Sequence, residues 1–136
     1  MTQNSAAPCR FCQPETMTGD ILFRTQHLFF ITSICPVLRQ AGMIIPYRHV
    51  DSPFDFTPQE WFEAKELIDK AKSYYLETEN ADGFNVGWND GAIAGQTVFH
   101  AHIHVVARFA DEPMAGIGFR HHIKRPENLR PRYVIS

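Results

Sequence analysis

Residues 100–106 read His-Ala-His-Ile-His-Val-Val, three histidines alternating with apolar residues. In a β-strand, successive side chains point to opposite faces. We therefore expect His100, His102 and His104 to share one face, and the apolar residues between them to face the core. Imidazole is the side chain best suited to metal binding, proton transfer or nucleophilic attack near neutral pH. The run predicts a strand that carries a functional site on one side.

A glycine-rich loop directly precedes the histidines. Gly91 and Gly95 allow backbone N–H groups to approach an anion closely. Asn89, Gln96 and Thr97 add neutral hydrogen-bonding groups suited to phosphate oxygens and ribose hydroxyls. The loop and the histidines together indicate a phosphate cradle in front of a nucleophile.

The histidine run has three interpretations. The imidazoles could line an exposed sheet face without a function. All three could bind one metal ion, as in three-histidine zinc hydrolases. Alternatively, one neutral imidazole could attack phosphorus while its neighbours set its tautomer and transfer protons. The glycine-rich loop favours the third interpretation, because it supplies the groups that would hold a phosphate.

The remaining sequence predicts an α+β domain with a mainly antiparallel sheet of about five strands and one long helix. Thr57 is a good N-cap, and Pro58 suits the first helical position. Glu60 completes a capping box, after which apolar residues recur at helical spacing until about Glu79. Strands are expected at 20–25, 27–33, 43–45 (ended by Pro46), 84–88 and 100–106.

Length and charge limit the classes of function. The chain has 136 residues, which suggests one domain. Its net charge of −2 gives no sign of a nucleic-acid partner, and no apolar run is long enough to span a membrane. Residues 1–8 lack a signal-peptide pattern and are expected to form a flexible arm of a cytoplasmic protein. The basic segment 109–136 is expected to be an extension packed on the domain or on a dimer partner.

The sequence resembles a known family. Residues 95–106 are similar to the signature of the histidine triad (HIT) family of nucleotide hydrolases and transferases. Asn89-Asp90-Gly91, Ile44–His49 and the Cys9–Cys12 pair are similar to other segments of that family. The resemblance covers about residues 9–108 and implies a HIT-like domain that forms homodimers through a shared sheet. One departure is Ala41, which stands where the family often has a histidine.

The resemblance also implies roles for the site residues. His102 would attack the α-phosphorus of a nucleotide and form a covalent nucleotidyl-histidine. His104 would lie near the α-phosphate, and His100 would complete the catalytic triad of histidines. His104 favours the hydrolase branch, because uridylyl-transferase relatives carry glutamine there. The residues implied to bind substrate are Asn89, Gly95, Gln96 and Thr97.

The cysteines form a second constellation. Cys9 and Cys12 have the spacing of a zinc-binding pair, but a complete site needs two more ligands, and the pair alone could also be a redox pair or a chance spacing. The family resemblance implies that His49 and His100 supply them, so that the zinc would be structural. Cys35 is expected to be a free cysteine without a role.

These features lead to one main expectation and two alternatives. We expect a hydrolase that cleaves a nucleoside phosphoanhydride or phosphoramidate, of the dinucleoside polyphosphate or adenosine phosphoramidate type. It would use no organic cofactor. The first alternative is a metal-dependent hydrolase in which all three histidines are ligands. The second is a non-catalytic nucleotide-binding module.

Overall fold

A computed structural model describes residues 9–135 and shows an α+β domain; the predicted flexible arm, residues 1–8, lies outside the described residues. Its five strands form one antiparallel sheet in the order β1-β2-β3-β5-β4, and one long helix packs against it. The elements are β1 Ile21–Arg24, β2 Leu28–Thr32, β3 Ala41–Pro46, α1 Pro58–Glu79, β4 Gly83–Gly87, β5 Ile103–Arg108 and the short helix α2 Arg120–Ile123. The predicted fold class is confirmed.

Helix α1 begins and ends as its sequence predicts. The Thr57 side chain accepts a hydrogen bond from the Glu60 N–H, and the Glu60 side chain accepts one from the Thr57 N–H. This capping box satisfies two N–H groups that otherwise have no partner in the helix. The helix ends where Asn80 adopts a left-handed conformation with φ 58°, which a short polar side chain tolerates.

The sheet has two buried faces. Side chains of one face pack on helix α1 and form the larger part of the core. These residues are Leu28, Phe30, Ile44, Ile103 and Val105 from the sheet, with Ala64, Leu67, Ala71 and Tyr75 from the helix. The opposite face of the sheet carries a second, smaller cluster made by Phe11, Phe29, Ile31 and Ile45. Strand β2 is therefore apolar at every buried position, because its two sets of alternating side chains face two different clusters.

The prediction of a strand over residues 100–106 is wrong at its start. Strand β5 begins at Ile103, which is paired with Ile44 of β3. Continuing the ladder would bring Ala101 opposite Pro46, which has no N–H to donate. The Ala101 N–H instead donates to the Val50 carbonyl at 2.6 Å. His100 and His102 therefore lie in the segment that leads into the strand.

The predicted division of side chains between two faces nevertheless holds across this irregular start. Ala101, Ile103 and Val105 are buried in the cluster under helix α1. His104 lies opposite Met43 in the β3–β5 ladder, and Met43 borders the smaller cluster on the other face. The histidines thus belong to the face of the sheet that α1 does not cover.

The segment after β5 is held against the sheet by Arg108. Its guanidinium donates to the Asn85 side chain at 2.6 Å and to the carbonyls of Met114 and Ile117 at 3.0 and 2.7 Å. It also pairs with Glu112 at 2.9 Å. The boundaries predicted at 9–108 and 109–136 stay predictions. None of the helices within residues 9–135 combines the length and the apolar character needed to cross a bilayer.

Candidate functional site

His102 is held in one tautomer by the backbone. Its Nδ1 lies 2.8 Å from the carbonyl oxygen of His100, and a carbonyl can only accept, so Nδ1 carries the proton. The other ring nitrogen, Nε2, therefore has a free lone pair. The side chain is buried, and this burial lowers the pKa of His102. The ring is thus a neutral imidazole with its nucleophilic nitrogen unprotonated at pH 7.

His104 lies beside this ring at the start of β5. The two ring centroids are 5.0 Å apart in an edge-to-face arrangement. Burial, together with the neighbouring His102, lowers the pKa of His104. Two neutral imidazoles therefore face the same side of the sheet, where they can exchange a proton with a bound molecule.

His100 points away from these two rings toward the cysteines. Its Nε2 donates to the Pro46 carbonyl at 2.8 Å, which leaves the Nδ1 lone pair free to bind a cation. Burial lowers the pKa of His100, so it too is neutral. The side chain of His100 is completely buried.

Four donor atoms converge on a point beside His100. The ligand atoms of Cys9, Cys12, His49 and His100 all lie within 4.8 Å of one another. Nδ1 of His100 is 3.1 Å from Nδ1 of His49 and 3.4 Å from each cysteine Sγ. In a tetrahedral site with Zn–S of about 2.3 Å and Zn–N of about 2.0 Å, such donor atoms lie roughly 3.3–3.8 Å apart. The observed spacing is close to that geometry.

The chemistry of the four donors also fits a metal ion. Burial, reinforced by the adjoining thiol of Cys9, raises the pKa of the Cys12 thiol to about 11. Without a cation nearby, the Cys12 thiol therefore keeps its proton at pH 7. A cation bound among the four converging donor atoms would stabilise its thiolate form. Two thiolates with two imidazole nitrogens are a donor set typical of structural zinc. The sequence spacing alone indicates only Cys9 and Cys12 as a pair of ligands.

The glycine-rich loop precedes the histidines in the chain and turns at two glycines with positive φ. Gly91 and Gly95 have φ of +90° and +105°, which side-chain-bearing residues rarely adopt. A Cβ added at Gly95 would lie 3.4 Å from the Asn89 side-chain nitrogen. Asn89 and Thr97 are exposed on this loop and available to a ligand.

Gln96 is buried, whereas the other loop residues predicted to bind substrate are exposed. Its side chain is buried, and its amide nitrogen donates to the carbonyls of Asp51 and Val98 at 2.8 and 3.0 Å. Its amide oxygen accepts the Gly91 N–H at 2.8 Å. These contacts use the amide to fix the loop, so its predicted contact with substrate stays a prediction.

Comparison with known proteins agrees with this geometry. A sequence model of the HIT domain matches residues 15–111, which is most of the chain.

The chain belongs to the HIT domain family.

Relatives within the HIT family include proteins of known and unknown activity. An uncharacterized HIT-like protein of Mycoplasma genitalium is 29% identical over 99% of this chain and 96% of its own length. A bis(5′-adenosyl)-triphosphatase of Dictyostelium discoideum is 34% identical over 66% of this chain and 60% of its own length. The crystal structure of a Zn-bound histidine triad family protein from Mycobacterium smegmatis is 28% identical, with a TM-score of 0.67, and the match covers 88% of this chain and 84% of that one.

The HIT domain of this chain also has a pocket that the sequence did not indicate. The cavity has a volume of about 270 Å³ and lies on the same sheet face as the histidines. Its apolar wall is made by Phe11, Met17, Ile31, Ile34 and Met43. No local motif marks these residues, because they come from an N-terminal turn, two strands and a loop. The signal that could have indicated them is the apolar character of both faces of β2. An apolar second face must pack against other apolar residues.

Proposed function

We propose that this HIT domain is a nucleotide hydrolase that acts through a covalent nucleotide on Nε2 of His102. The observation that carries the proposal is the hydrogen bond from Nδ1 of His102 to the His100 carbonyl at 2.8 Å. This hydrogen bond leaves Nε2 unprotonated and fixes the orientation of the ring. Imidazole can then attack without a separate base, and it is also a good leaving group.

The first step transfers the nucleotide to the protein. Nε2 of His102 forms a bond to the α-phosphorus as the bond from phosphorus to the leaving oxygen or nitrogen breaks. The leaving group departs with that electron pair and takes a proton from solvent, which the neutral ring of His104, 5.0 Å from that of His102 between centroids, can relay. The exposed side chains of Asn89 and Thr97 would stabilise the charge on the phosphoryl oxygens.

The second step releases the nucleotide. A water oxygen forms a bond to phosphorus, the bond from phosphorus to Nε2 breaks, and the electron pair returns to the imidazole ring. The water loses one proton to solvent, and the carbonyl of His100 continues to hold Nδ1–H throughout. The product is a nucleoside monophosphate, and the ring is again neutral.

We also propose that Cys9, Cys12, His49 and His100 hold a structural zinc ion. When bound, it would fix the N-terminal turn against the segment that precedes β5. The separate orientations of His100 and His102 support this division of roles, since one ring faces the cysteines and the other does not. They argue against the alternative in which all three histidines bind one catalytic metal.

The substrate class and the assembly are inferred from the relatives and the resemblance. The triphosphatase relative favours a dinucleoside polyphosphate, and the resemblance adds nucleoside phosphoramidates such as those of adenosine. We infer a cytoplasmic homodimer, and β4 at the edge of the sheet is the strand that could extend it into a partner.

A mass measurement tests the mechanism. The protein is incubated with diadenosine triphosphate or adenosine phosphoramidate, quenched, and digested. We expect an acid-labile increase of one adenylyl group on the peptide that contains residue 102, and its absence in His102→Ala. His121→Ala, at a half-buried histidine of α2, is the matched control and should keep both adduct and turnover. Turnover that survives in His102→Ala would falsify the proposal, and a non-catalytic module would show neither adduct nor turnover in the wild type.

A further inference from the structure

Arg10 is an exposed cation that the N-terminal turn holds in place. It opens the short turn Arg10–Cys12, which has the hydrogen bonding of a 3₁₀-helix. The Cys12 N–H donates to the Cys9 carbonyl at 3.1 Å, and the Gln13 N–H donates to the Arg10 carbonyl at 3.2 Å. Both cysteine Sγ atoms lie 3.4 Å from Nδ1 of His100. The backbone of Arg10 is therefore fixed by the same turn that brings the two cysteines to His100.

The side chain of Arg10 lies over the aromatic ring that packs against the proposed nucleophile. Its guanidinium carbon is 5.3 Å from the centroid of the Phe11 ring. The Phe11 ring in turn contacts the His102 ring, with centroids 5.1 Å apart. Together these distances put the guanidinium carbon no more than about 10 Å from the His102 ring, which is one Debye length at 0.1 M salt. The positive charge is near enough to act on an anion bound at His102.

The charge of Arg10 already acts at the position of His102. Burial is the main cause of the lowered pKa of His102, and the positive charge of Arg10 lowers it further. A field that disfavours an imidazolium ion favours an anion at the same place. Arg48, in contrast, has its charge neutralised by Glu60 at 2.8 Å. Within residues 9–135, no carboxylate forms such an ion pair with Arg10.

The other groups proposed to hold the phosphoryl group are uncharged. Asn89 and Thr97 are neutral, and burial lowers the pKa of both His102 and His104. The proposed zinc would not change this balance, because Zn²⁺ with two thiolates and two neutral imidazoles has no net charge. A phosphoryl group of a nucleotide is an anion at pH 7. The site therefore needs a cation beside His102, and Arg10 is a cation at that position.

The chemistry of arginine fits this task. A guanidinium group can donate two parallel N–H bonds to a pair of phosphoryl oxygens, which a single ammonium group cannot do. Arg10 also lines the cavity of about 270 Å³ on the histidine face of the sheet. Its side chain therefore borders open space that a bound molecule can enter.

We propose that the guanidinium group of Arg10 binds the phosphoryl group of a nucleotide held at His102. This inference rests on the proposed function and adds a substrate-binding residue to it. Arg10 would contribute the positive charge in the first step, while His102 contributes the nucleophile. The contact also distinguishes a nucleotide from a nucleoside, because a nucleoside has no phosphoryl group for Arg10 to bind.

The test compares adenosine monophosphate with adenosine in calorimetric titrations of the full chain. We expect Arg10→Gln to raise the Kd for adenosine monophosphate at least about tenfold and to change the Kd for adenosine by less than about twofold. Arg10→Met, a second uncharged variant that keeps an apolar stem over Phe11, should give the same shift. Arg10→Lys keeps the charge but loses the paired N–H groups, so its shift should be only about threefold.

The matched control is Arg132→Gln. The Arg132 guanidinium carbon also lies 5.3 Å from the ring of the next residue, Tyr133, but in the C-terminal segment. This variant should keep the wild-type Kd for both ligands. In the adduct measurement with adenosine phosphoramidate, Arg10→Gln should slow modification of His102 by at least about tenfold, and Arg132→Gln should not slow it.

The ratio of the two Kd values separates a phosphoryl contact from general damage to the turn, because both ligands contain the same nucleoside. Equal weakening of both ligands in Arg10→Gln and Arg10→Met would overturn the inference, and so would an unchanged ratio. A wild type that binds adenosine as tightly as adenosine monophosphate would overturn it as well.

The adduct measurement keeps this inference apart from the proposed function. If the wild type forms the His102 adduct but the Kd ratio is the same in all variants, the role of Arg10 is wrong and the proposed function remains supported. If the ratio falls in the uncharged variants but the wild type forms no adduct, Arg10 binds the phosphoryl group and the proposed hydrolysis is wrong.

Discussion

The ring of Phe11 packs edge-on against the ring of His102, with centroids 5.1 Å apart and planes at 87°. Phe11 stands between the two cysteines of the metal-ligand cluster and is only 2% exposed. It also contacts the His100 ring at 5.9 Å. One buried side chain therefore connects the cluster, through its own N-terminal turn, to the proposed nucleophile. The tautomer of His102 comes from the backbone, but its lateral position depends on Phe11.

We predict that Phe11→Leu slows formation of the His102 adduct more than its effect on stability explains. Leucine keeps part of the apolar volume, so the unfolding free energy should fall by roughly 1–2 kcal/mol, less than for Phe→Ala. The lost edge contact lets the ring move, and the adduct should form about tenfold more slowly. Phe29→Leu is the matched control, because Phe29 belongs to the same buried cluster and stacks on Tyr47 instead. Equal slowing in both variants would contradict a positioning role for Phe11.

Metal content gives a second prediction, with a control inside the chain. Cys12→Ser removes one of the four converging donors, whereas Cys35→Ser changes a cysteine outside the cluster. We expect about one zinc per wild-type chain, nearly none in Cys12→Ser, and an unchanged amount in Cys35→Ser, measured by elemental analysis. Because metal-binding energy contributes to folding, the Tm of Cys12→Ser should fall by at least about 5 °C. Identical Tm and metal content in the two variants would refute the cluster as a metal site.

Parts of the fold that depend on neighbouring residues could be predicted from the sequence. The capping box of α1 involves residues three apart, and the two faces of β2 follow from strict alternation. The helix bounds and the fold class were therefore accessible. The start of β5 was not, because it depends on Pro46 in a distant strand, which has no N–H to continue the ladder with residue 101.

The candidate site also has parts that the sequence predicts and parts that it does not. The histidine run and the glycine-rich loop are local, and they predict where the phosphate chemistry lies. Cys12 and His100, in contrast, are separated by 88 residues, and their 3.4 Å contact was expected only through the family resemblance. The partners of the Gln96 amide lie up to 45 residues away, so its bracing position was not evident from the loop itself. A single sequence does not show which distant residues become the hydrogen-bond or metal-binding partners of a polar side chain.

Acid sensitivity should depend strongly on one buried carboxylate. Burial alone would raise the pKa of Glu63, but hydrogen bonds from Thr25, His27 and Gln59 lower it to about 2. Relative to the ordinary value of 4.5, this corresponds to roughly 3 kcal/mol of stability. A carboxyl whose folded pKa is lowered stabilises the protein above its unfolded pKa. That contribution is therefore present above about pH 4.5 and is lost as the pH falls toward 2.

We predict that Glu63→Gln lowers the unfolding free energy by up to about 3 kcal/mol at pH 7. The difference between wild type and variant should shrink as the pH falls from about 4.5, because the wild-type carboxyl becomes protonated. Urea unfolding at a series of pH values measures it. Glu66→Gln, at an exposed position on the same helix, should differ from wild type by less than about 0.5 kcal/mol. A difference for Glu63→Gln that is the same at every pH would contradict this account.

Replacing an amide by a carboxylate should have different effects at Gln96 and at Asn89. At Gln96 it should lower stability, and at Asn89 it should weaken nucleotide binding. The Gln96 amide nitrogen donates to the carbonyls of Asp51 and Val98 in a buried position. Gln96→Glu would place an oxygen against two carbonyl oxygens, so we expect a loss of about 2–4 kcal/mol in unfolding free energy. Asn89→Asp is exposed and should change stability by less than about 0.5 kcal/mol. Its added charge should instead repel a nucleotide and raise the Kd for adenosine monophosphate about tenfold at low salt. Urea unfolding and calorimetric titration of both variants check this, and a stability loss in Asn89→Asp with none in Gln96→Glu would reverse the two assignments.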